Sequence, residues 1–233
     1  MKIEILPDPG AVASHAARWL AAAARDAVAA RGRFAFAVSG GHTPWQMLGL
    51  LAAEDVPWGK VHLFQVDERV APEGHTDRNM THIRKSLLEL ASIPAGNVHP
   101  MPVEEGDLGA AALRYERELE AVAGTPAVLD AVHLGLGPDG HTASLVPGDP
   151  ALDVDGSDLA VTGTYAGRVR MTLTYPAIDR ARAVLWVVTG AEKAPVLPLL
   201  MAGDRSIPAG RVRNGQALLL ADRAAAANLA PLR

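Results

Sequence analysis

The chain has 233 residues, of which 49% are hydrophobic and 21% are charged, the proportions of a globular protein with a buried core. Its net charge of -4 shows no basic excess, which argues against a nucleic-acid surface as the main function. The absence of cysteine excludes disulfides, thiolate catalysis and cysteine-ligated metal sites.

Signals for membrane insertion or export are not found in this sequence. No apolar run approaches the roughly 20 residues that span a membrane. The first residues, Met-Lys-Ile-Glu-Ile-Leu-Pro-Asp, contain no apolar block of the kind found in signal peptides. We therefore expect a cytoplasmic protein that has no membrane partner.

Strand-like and helix-like segments alternate along the chain. In chain order, strands are predicted at residues 2–6, 34–38, 61–66, 97–101, 129–136, 159–162, 170–174, 183–189 and 217–220. Helices are predicted at residues 11–30, 45–53, 81–90, 108–122, 191–201 and 223–229. This alternation predicts an α/β fold, in which a single doubly wound domain over residues 1–233 has a mostly parallel sheet with helices on both faces.

The second predicted strand ends in a turn of small residues, Ser39, Gly40 and Gly41. Thr43 is predicted to cap the following helix, and Pro44 to be its first residue. Exposed amides at such a helix start, together with the helix dipole, favour an anion such as phosphate. The turn lacks the Gly-Lys-Ser/Thr of a Walker A loop. A plain strand-to-helix turn that binds nothing is the alternative.

Charged residues follow the third predicted strand. Asp67, Glu68 and Arg69 stand where its apolar run ends. Taken alone, these charges fit an exposed ion-pair cluster of little energetic value better than they fit a catalytic group. They gain interest because they end a strand that the predicted sheet places beside the other candidate residues.

The predicted strand at 129–136 leads into the most informative turn, Gly-Leu-Gly-Pro-Asp-Gly-His, from Gly135 to His141. Asp139 and His141 are an acid/base pair in which the carboxylate orients the imidazole. The glycines also match the G-x-G-x-x-G of dinucleotide-binding proteins, but that motif requires a helix directly after it. Here residues 148–158 are rich in helix breakers and carboxylates. The pattern therefore favours acid/base catalysis over nicotinamide binding.

Two further cations follow other strands. Lys193 is predicted in the first turn of a helix, where a bound anion would offset its unfavourable interaction with the dipole. Arg170 shares one strand face with Thr172 and Thr174, and its guanidinium matches phosphate or carboxylate. A solvent-exposed lysine and an edge-strand arginine are the alternatives. Because parallel strands end at one rim, these groups are expected to surround a phosphorylated small molecule undergoing proton transfer.

Five segments together resemble the 6-phosphogluconolactonase family in their order and spacing: residues 39–44, 67–69, 135–145, 170–174 and 190–193. The resemblance runs from about Ile5 to Leu220. It implies an α/β domain related to glucosamine-6-phosphate deaminase and ribose-5-phosphate isomerase. It also implies hydrolysis of 6-phospho-D-glucono-1,5-lactone to 6-phosphogluconate without metal or cofactor, the second step of the oxidative pentose phosphate pathway.

The resemblance implies a role for each matching residue. His141 would activate water for attack on the lactone carbonyl, and Asp139 would fix the orientation and tautomer of the imidazole. Arg69 would stabilise the tetrahedral intermediate or hold substrate, and Asp67 would contact sugar hydroxyls or Arg69. Because the base must be neutral, hydrolysis is expected to slow below pH ~6.5, the ordinary imidazole value. The 6-phosphate would be held by Ser39, Gly40, Gly41, Thr43, Arg170 and Lys193.

The nearest alternative is the branch of aldose–ketose isomerases and amino-sugar-phosphate deaminases, to which the same motifs are similar. That branch has a glutamate five positions after the histidine, where this chain has Val146, and an aromatic residue in place of Arg69. A non-catalytic sugar-phosphate sensor is a second alternative, which would need an attached DNA-binding or partner-binding segment. We expect a small-molecule substrate, no nucleic-acid partner and a monomer or small homo-oligomer.

Overall fold

The computed structural model describes residues 1–213 and 215–229. Its strands are β1 (Lys2–Leu6), β2 (Phe34–Val38), β3 (Val61–Gln65), β4 (Asp67–Arg69), β5 (Ala131–Leu134), β6 (Leu159–Val161), β7 (Arg170–Leu173), β8 (Val184–Val188) and β9 (Ala217–Asp222). Its helices are α1 (Pro9–Arg31), α2 (His42–Leu51), α3 (Asn79–Ile83), α4 (Leu108–Ala123), α5 (Tyr175–Arg180) and α6 (Leu197–Ala202). The expected domain of residues 1–233 includes 214 and 230–233, which lie outside the described residues, and its being a single domain stays a prediction.

The main sheet is six-stranded and parallel, in the order β1-β9-β8-β5-β2-β3. Alternation along β2 shows why helices cover both of its faces. Phe34 and Phe36 pack in one core with α1 and α2, whereas Ala35 and Ala37 pack in the other with α4. The predicted α/β fold with a mostly parallel sheet is therefore confirmed.

Local sequence sets the ends of α1, the longest of the described helices. The Asp8 carboxylate accepts a hydrogen bond from the Ala11 amide at 2.8 Å, and Pro9 is the first helical residue. The helix ends at Gly32, whose φ of 74° is the left-handed conformation that glycine adopts freely. Neither α1 nor any other helix in residues 1–213 and 215–229 is long and apolar enough to cross a membrane.

A second sheet, three-stranded and antiparallel in the order β4-β7-β6, was not predicted. A single residue, Val66, separates the C-terminal end of β3 from β4, so this sheet stands at the rim where the parallel strands end. Its register places Arg69 directly opposite Arg170, and Asp67 opposite Thr172. The strand-like patterns at 159–162 and 170–174 are real, but alternation does not say which sheet a strand joins.

Two predicted elements in the first half of the chain differ in the structure. The segment 97–101 is not a strand, because a single bridge between Leu63 and Val98 is its only strand-type pairing. The helix predicted at 81–90 is the shorter α3, followed by a π-helical turn at Arg84–Leu88. Both segments pack beside the sheet, and tertiary contacts there override weak local propensities.

Two predicted helices near the C-terminus are also wrong. The helix predicted at 191–201 is a 3₁₀ turn at Ala191–Lys193 followed by α6. Pro195 and Pro198 explain the break, because proline lacks the amide that continues a helix. The helix predicted at 223–229 is a 3₁₀ turn at Ala225–Asn228, since so short an alanine segment has too few turns to sustain a helix.

Candidate active site

A cleft of ≈ 180 Å³ opens at the C-terminal rim of the parallel sheet, against the small antiparallel sheet. Five separate segments bring predicted site residues to its wall, namely Ser39, Gly40, Asp67, Arg69, His141, Arg170 and Lys193. Asp139 reaches the cleft through its bond to His141. Gly41 and Thr43 stand behind the lining, at the start of α2.

The turn after β5 holds His141 against Asp139. Nδ1 of His141 lies 2.5 Å from Oδ1 of Asp139, which leaves Nε2 for proton transfer. A β carbon at Gly137 would lie 2.1 Å from that Nδ1, so the ring folds back over the turn only because residue 137 is glycine. Burial raises the pKa of Asp139, but the charge of His141 and hydrogen bonds from His141 and Tyr165 outweigh it. The net effect lowers the pKa of Asp139, and its carboxylate stays ionised.

The chain does not continue from this turn into a helix. Thr142 and Leu145 instead form an isolated antiparallel bridge, and the loop that follows contains a 3₁₀ turn at Pro150–Asp153. The helix that a dinucleotide-binding motif needs after its glycines is therefore not formed at this turn.

Asp67 and Glu68 are both buried, so the exposed ion-pair interpretation of this segment is wrong. Oδ2 of Asp67 accepts a hydrogen bond from the Ser144 hydroxyl at 2.7 Å. Glu68 is fully buried, and its carboxylate accepts the backbone amides of Asn79 and Met80 at 2.8 and 2.9 Å. Glu68 thus anchors the start of α3 below the cleft, while Asp67 lies in the cleft wall.

Arg69 and Arg170 lie side by side on β4 and β7. Nη1 of Arg69 donates to the Asp77 carbonyl at 2.9 Å, and the Arg170 guanidinium donates to the Ser144 hydroxyl and the Tyr165 carbonyl, both at 3.4 Å. In the part of the chain that the structure describes, neither guanidinium forms an ion pair, and each Nε is buried without a hydrogen-bond partner. Burial and the charge of Arg69 lower the pKa of Arg170. Opposed like charges repel each other, so a bound anion would stabilise this pair.

The turn before α2 differs from its prediction. Gly41, with a φ of 129°, precedes the helix in place of Thr43, because two glycines let the helix begin at residue 42. Thr43 Oγ1 instead lies 2.7 Å from Thr189 Oγ1. The amide and hydroxyl of Ser39 both donate to His133, at 3.2 and 3.0 Å. Ser39 therefore offers a ligand only the lone pairs of its hydroxyl.

Gly40 and Lys193 complete the same side of the cleft. A β carbon at Gly40 would lie 2.0 Å from the Asn79 side chain, so this turn packs directly on α3. Lys193 is the last residue of a three-residue 3₁₀ turn, and the helix itself, α6, begins only at Leu197. The predicted first-turn placement is wrong, yet the ammonium group still lines the cleft. It lies 3.5 Å from the Glu192 carboxylate, which is largely exposed.

Three residues that contact the site were not predicted from the sequence: Ser144, Asn79 and Tyr165. Ser144 stands inside the 135–145 motif, and that motif is the sequence feature that could have identified it. Asn79 donates to the Asp67 carbonyl at 2.9 Å, and Tyr165 donates to Asp139 at 3.0 Å. Neither has a local signal, because each reaches the site from a distant part of the chain. In the described residues, no group of three or more histidines and carboxylates is arranged to hold a metal ion.

Known proteins of similar sequence and structure narrow the chemistry. The family model "Glucosamine-6-phosphate isomerases/6-phosphogluconolactonase" matches residues 7–220. A 6-phosphogluconolactonase of Mycobacterium tuberculosis is 40% identical over 242 residues, covering 97% of this chain and 98% of that protein. A solved 6-phosphogluconolactonase structure from Trypanosoma cruzi has a TM-score of 0.88 and 28% identity, covering 98% of this chain and 96% of that one. A monomeric glucosamine-6-phosphate deaminase has a TM-score of 0.86 at 17% identity, covering 98% of this chain and 100% of that one. The fold is therefore shared by both activities, and the site residues must separate them.

Proposed function

The chain belongs to the glucosamine-6-phosphate isomerase/6-phosphogluconolactonase family, and we propose that it hydrolyses 6-phospho-D-glucono-1,5-lactone to 6-phosphogluconate in the cleft at the sheet rim. One observation carries the proposal: the Asp139–His141 pair opens onto a cleft whose two arginines form no ion pair in the described residues. A base is thereby combined with two arginines that are not held in ion pairs. That combination suits water attack on a carbonyl of an anionic substrate.

His141 is the general base in this proposal. Asp139 accepts Nδ1–H of the neutral imidazole, which fixes the tautomer with its lone pair on Nε2. Nε2 removes a proton from water as the water oxygen bonds to C1 of the lactone and the carbonyl electrons move onto oxygen. When this intermediate collapses, the bond between C1 and the ring oxygen breaks, and the imidazolium returns its proton to that leaving oxygen. The sum is one water added and one ester bond broken.

The two ends of the substrate carry negative charge at different times. The 6-phosphate is charged throughout, and we assign its binding to Arg170, Lys193 and the backbone amides that follow Ser39 in the Ser39–Thr43 turn, since both donors of Ser39 itself are used by His133. The carbonyl oxygen becomes an oxyanion only during reaction, and Arg69 is assigned to stabilise it. Asp67 is held by Ser144 and Asn79, and we assign it to accept hydrogen bonds from sugar hydroxyls.

The deaminase alternative needs side chains that this chain lacks at two positions. Where that branch has a glutamate, Val146 is a buried apolar residue, and a β-branched hydrocarbon cannot transfer protons. Where that branch has an aromatic residue, Arg69 adds a positive charge to the cleft. Both differences favour hydrolysis of a lactone over ring opening and isomerisation of an amino sugar.

A direct assay tests the proposal. Freshly generated 6-phosphogluconolactone is mixed with the protein, and acid release is compared with spontaneous opening in the same buffer. The proposal expects acceleration that depends on enzyme concentration, and no ammonia release from glucosamine 6-phosphate. Ammonia release without accelerated lactone opening would favour the deaminase branch instead. A cytoplasmic location and a monomeric or small homo-oligomeric state are part of the same proposal, testable by fractionation and light scattering.

A further inference from the structure

Tyr165 stands beside the cleft, next to the two-residue turn of a hairpin. Its amide and carbonyl pair with those of Arg168 at 2.9 and 3.2 Å. The two residues between them, Ala166 and Gly167, have φ values of 48° and 78°. Two successive left-handed residues define the tight turn that matches the twist of paired strands. The hairpin continues into β7, so the position of Tyr165 is set by the sheet that also carries Arg170.

The hydroxyl of Tyr165 completes the environment of the acid/base pair. It donates to Oδ2 of Asp139 at 3.0 Å, while Oδ1 of the same carboxylate faces Nδ1 of His141 at 2.5 Å. The rings of Tyr165 and His141 meet edge to face, with centroids 5.4 Å apart. Both oxygens of Asp139 are therefore held, and the carboxylate cannot rotate without losing one of the two bonds.

The ring face and backbone of Tyr165 support the phosphate side of the cleft. The guanidinium carbon of Arg170 lies 5.0 Å from the centroid of the Tyr165 ring, within the range of a cation–π contact. The Tyr165 carbonyl accepts Nη2 of Arg170 at 3.4 Å. With Nε unpartnered, few contacts other than these fix the orientation of the guanidinium.

We propose that Tyr165 is a positioning residue that aligns the acid/base pair through its hydroxyl and the anion-binding Arg170 through its ring. The inference rests on the proposed lactone hydrolysis, but it assigns two separable tasks to one side chain. The hydroxyl acts on the chemical step through Asp139 and His141. The ring acts on substrate binding through Arg170.

Two variants separate these tasks. Tyr165→Phe keeps the ring and removes the hydroxyl, so kcat is expected to fall about 5- to 10-fold, the weight of one ordinary hydrogen bond, with KM unchanged. Tyr165→Leu removes both, so KM is expected to rise as well, by about 5-fold for a lost cation–π contact. A role limited to stability would lower apparent kcat only in proportion to the unfolded fraction, and it would leave KM and the His141 titration of the folded protein unchanged.

The titration of His141 supplies a readout that does not depend on turnover. The charged groups around its ring are Asp139, in contact, and Asp67, Arg69, Arg170 and Lys193 across the cleft. In the wild type, part of the negative charge of Asp139 is offset by the hydrogen bond from the Tyr165 hydroxyl. Without that hydroxyl, Asp139 stabilises the protonated imidazole of His141 more strongly. The imidazole resonances of His141 in Tyr165→Phe are expected to titrate at higher pH than in the wild type.

Tyr175→Phe is the matched control, because its hydroxyl donates to the Pro208 carbonyl at 2.9 Å, away from the cleft. It is expected to leave kcat, KM and the His141 titration unchanged. The inference is overturned if Tyr165→Phe titrates and turns over like the wild type, or if Tyr165→Leu binds 6-phosphogluconate as tightly as Tyr165→Phe does. Wild-type protein that fails to accelerate lactone opening would contradict the proposed function, while the titration and the product-binding comparison still decide the role of Tyr165.

Discussion

Two depressions lie on either side of the start of α3, and they differ in whether their arginines form ion pairs. The cleft at the sheet rim is the smaller, at ≈ 180 Å³, and its two arginines form no ion pair among the described residues. The larger depression, hereafter the groove, measures ≈ 560 Å³ and is lined by Glu73, Gly74, Arg78, Met80, Thr81, Arg84, Lys85, Glu89 and residues 100–105. There Arg78 lies 3.2 Å from Glu68 and 3.7 Å from Glu104, and Arg84 lies 3.9 Å from Glu73.

This difference indicates that arginines without ion pairs identify a site for an anionic substrate better than the volume of a depression does. Buried charge is costly unless it is paired. In the groove, each of these arginines has a carboxylate of the same chain within 4 Å, and the buried Arg78–Glu68 pair is the one expected to matter for the folded state. In the cleft, Arg69 and Arg170 face each other, and in the described residues neither has a carboxylate within ion-pair distance, although the more distant charge of Asp67 favours the charged form of Arg170. Their arrangement is stabilised by what binds there.

The largest expected effect comes from removing the base. His141→Asn keeps a hydrogen-bonding side chain but cannot accept the proton from water, so kcat is expected to fall by about 10²- to 10⁴-fold. Lactone hydrolysis after subtraction of spontaneous opening measures this loss. Arg84→Ala, an exposed change in the groove, is the matched control and should keep wild-type kcat. Equal loss in both variants would contradict the distinction between cleft and groove.

Arg69 in the cleft and Arg78 in the groove are close in the sequence and sharpen the comparison between the two depressions. Arg69→Ala is expected to lower kcat about 10²-fold, as the loss of a preorganised group at the oxyanion does, without lowering stability, because it relieves repulsion from Arg170. Arg78→Ala is expected to lower the free energy of unfolding by about 3 kcal/mol, because the buried Glu68 loses its charge partner, while the folded protein keeps its kcat. Urea unfolding and steady-state kinetics distinguish the two. The reversed pattern would place the functional charge in the groove.

Substrate binding is expected to respond more weakly. Arg170→Gln removes a charged donor to phosphate, so KM should rise about 10-fold, the weight of one charge-assisted hydrogen bond. Lys85→Gln in the groove is the control and should leave KM unchanged. Isothermal titration with 6-phosphogluconate gives the same comparison without turnover. Equal affinities in the two variants would remove Arg170 from the binding site.

The last prediction concerns His133, the hydrogen-bond partner of Ser39, and its effect is on stability and is expected only in acid. Burial lowers the pKa of His133 to about 3, whereas an imidazole in an unfolded chain titrates near pH ~6.5. Between these values the unfolded state binds a proton that the folded state does not, so stability falls as the pH falls. His133 alone should contribute a slope of up to about 1.4 kcal/mol per pH unit. In His133→Asn, whose amide oxygen replaces Nδ1 as acceptor for Ser39, this part of the slope should vanish. An unchanged slope would show that His133 is not buried neutral.

Most strands and helices of the main sheet could be predicted because they depend on residues close together in the sequence. The apolar run of β2 and the alanine-rich α1 follow from composition and periodicity within a few residues. The second sheet did not follow, since Asp67–Arg69 pairs with a strand about a hundred residues away. The burial of Glu68 was missed for the same reason, because its partners include amides 11 and 12 positions along the chain.

The candidate site was predictable where its chemical groups lie close together within one sequence motif. Asp139 and His141 are two residues apart, and their hydrogen bond could be expected from spacing in a glycine-rich turn. Tyr165 lies 26 positions from Asp139, and a single tyrosine in a loop has no pattern around it. Which groups in the cleft stay without partners depends on all the surrounding strands at once, and only the three-dimensional structure contains that information.

A structure of the protein with bound 6-phosphogluconate tests the central claim most directly. The account predicts the phosphate against Arg170 and Lys193, with the carboxylate derived from the lactone carbonyl next to His141 and Arg69. Product bound in the groove, or bound in the cleft with that carboxylate out of reach of His141, would contradict it.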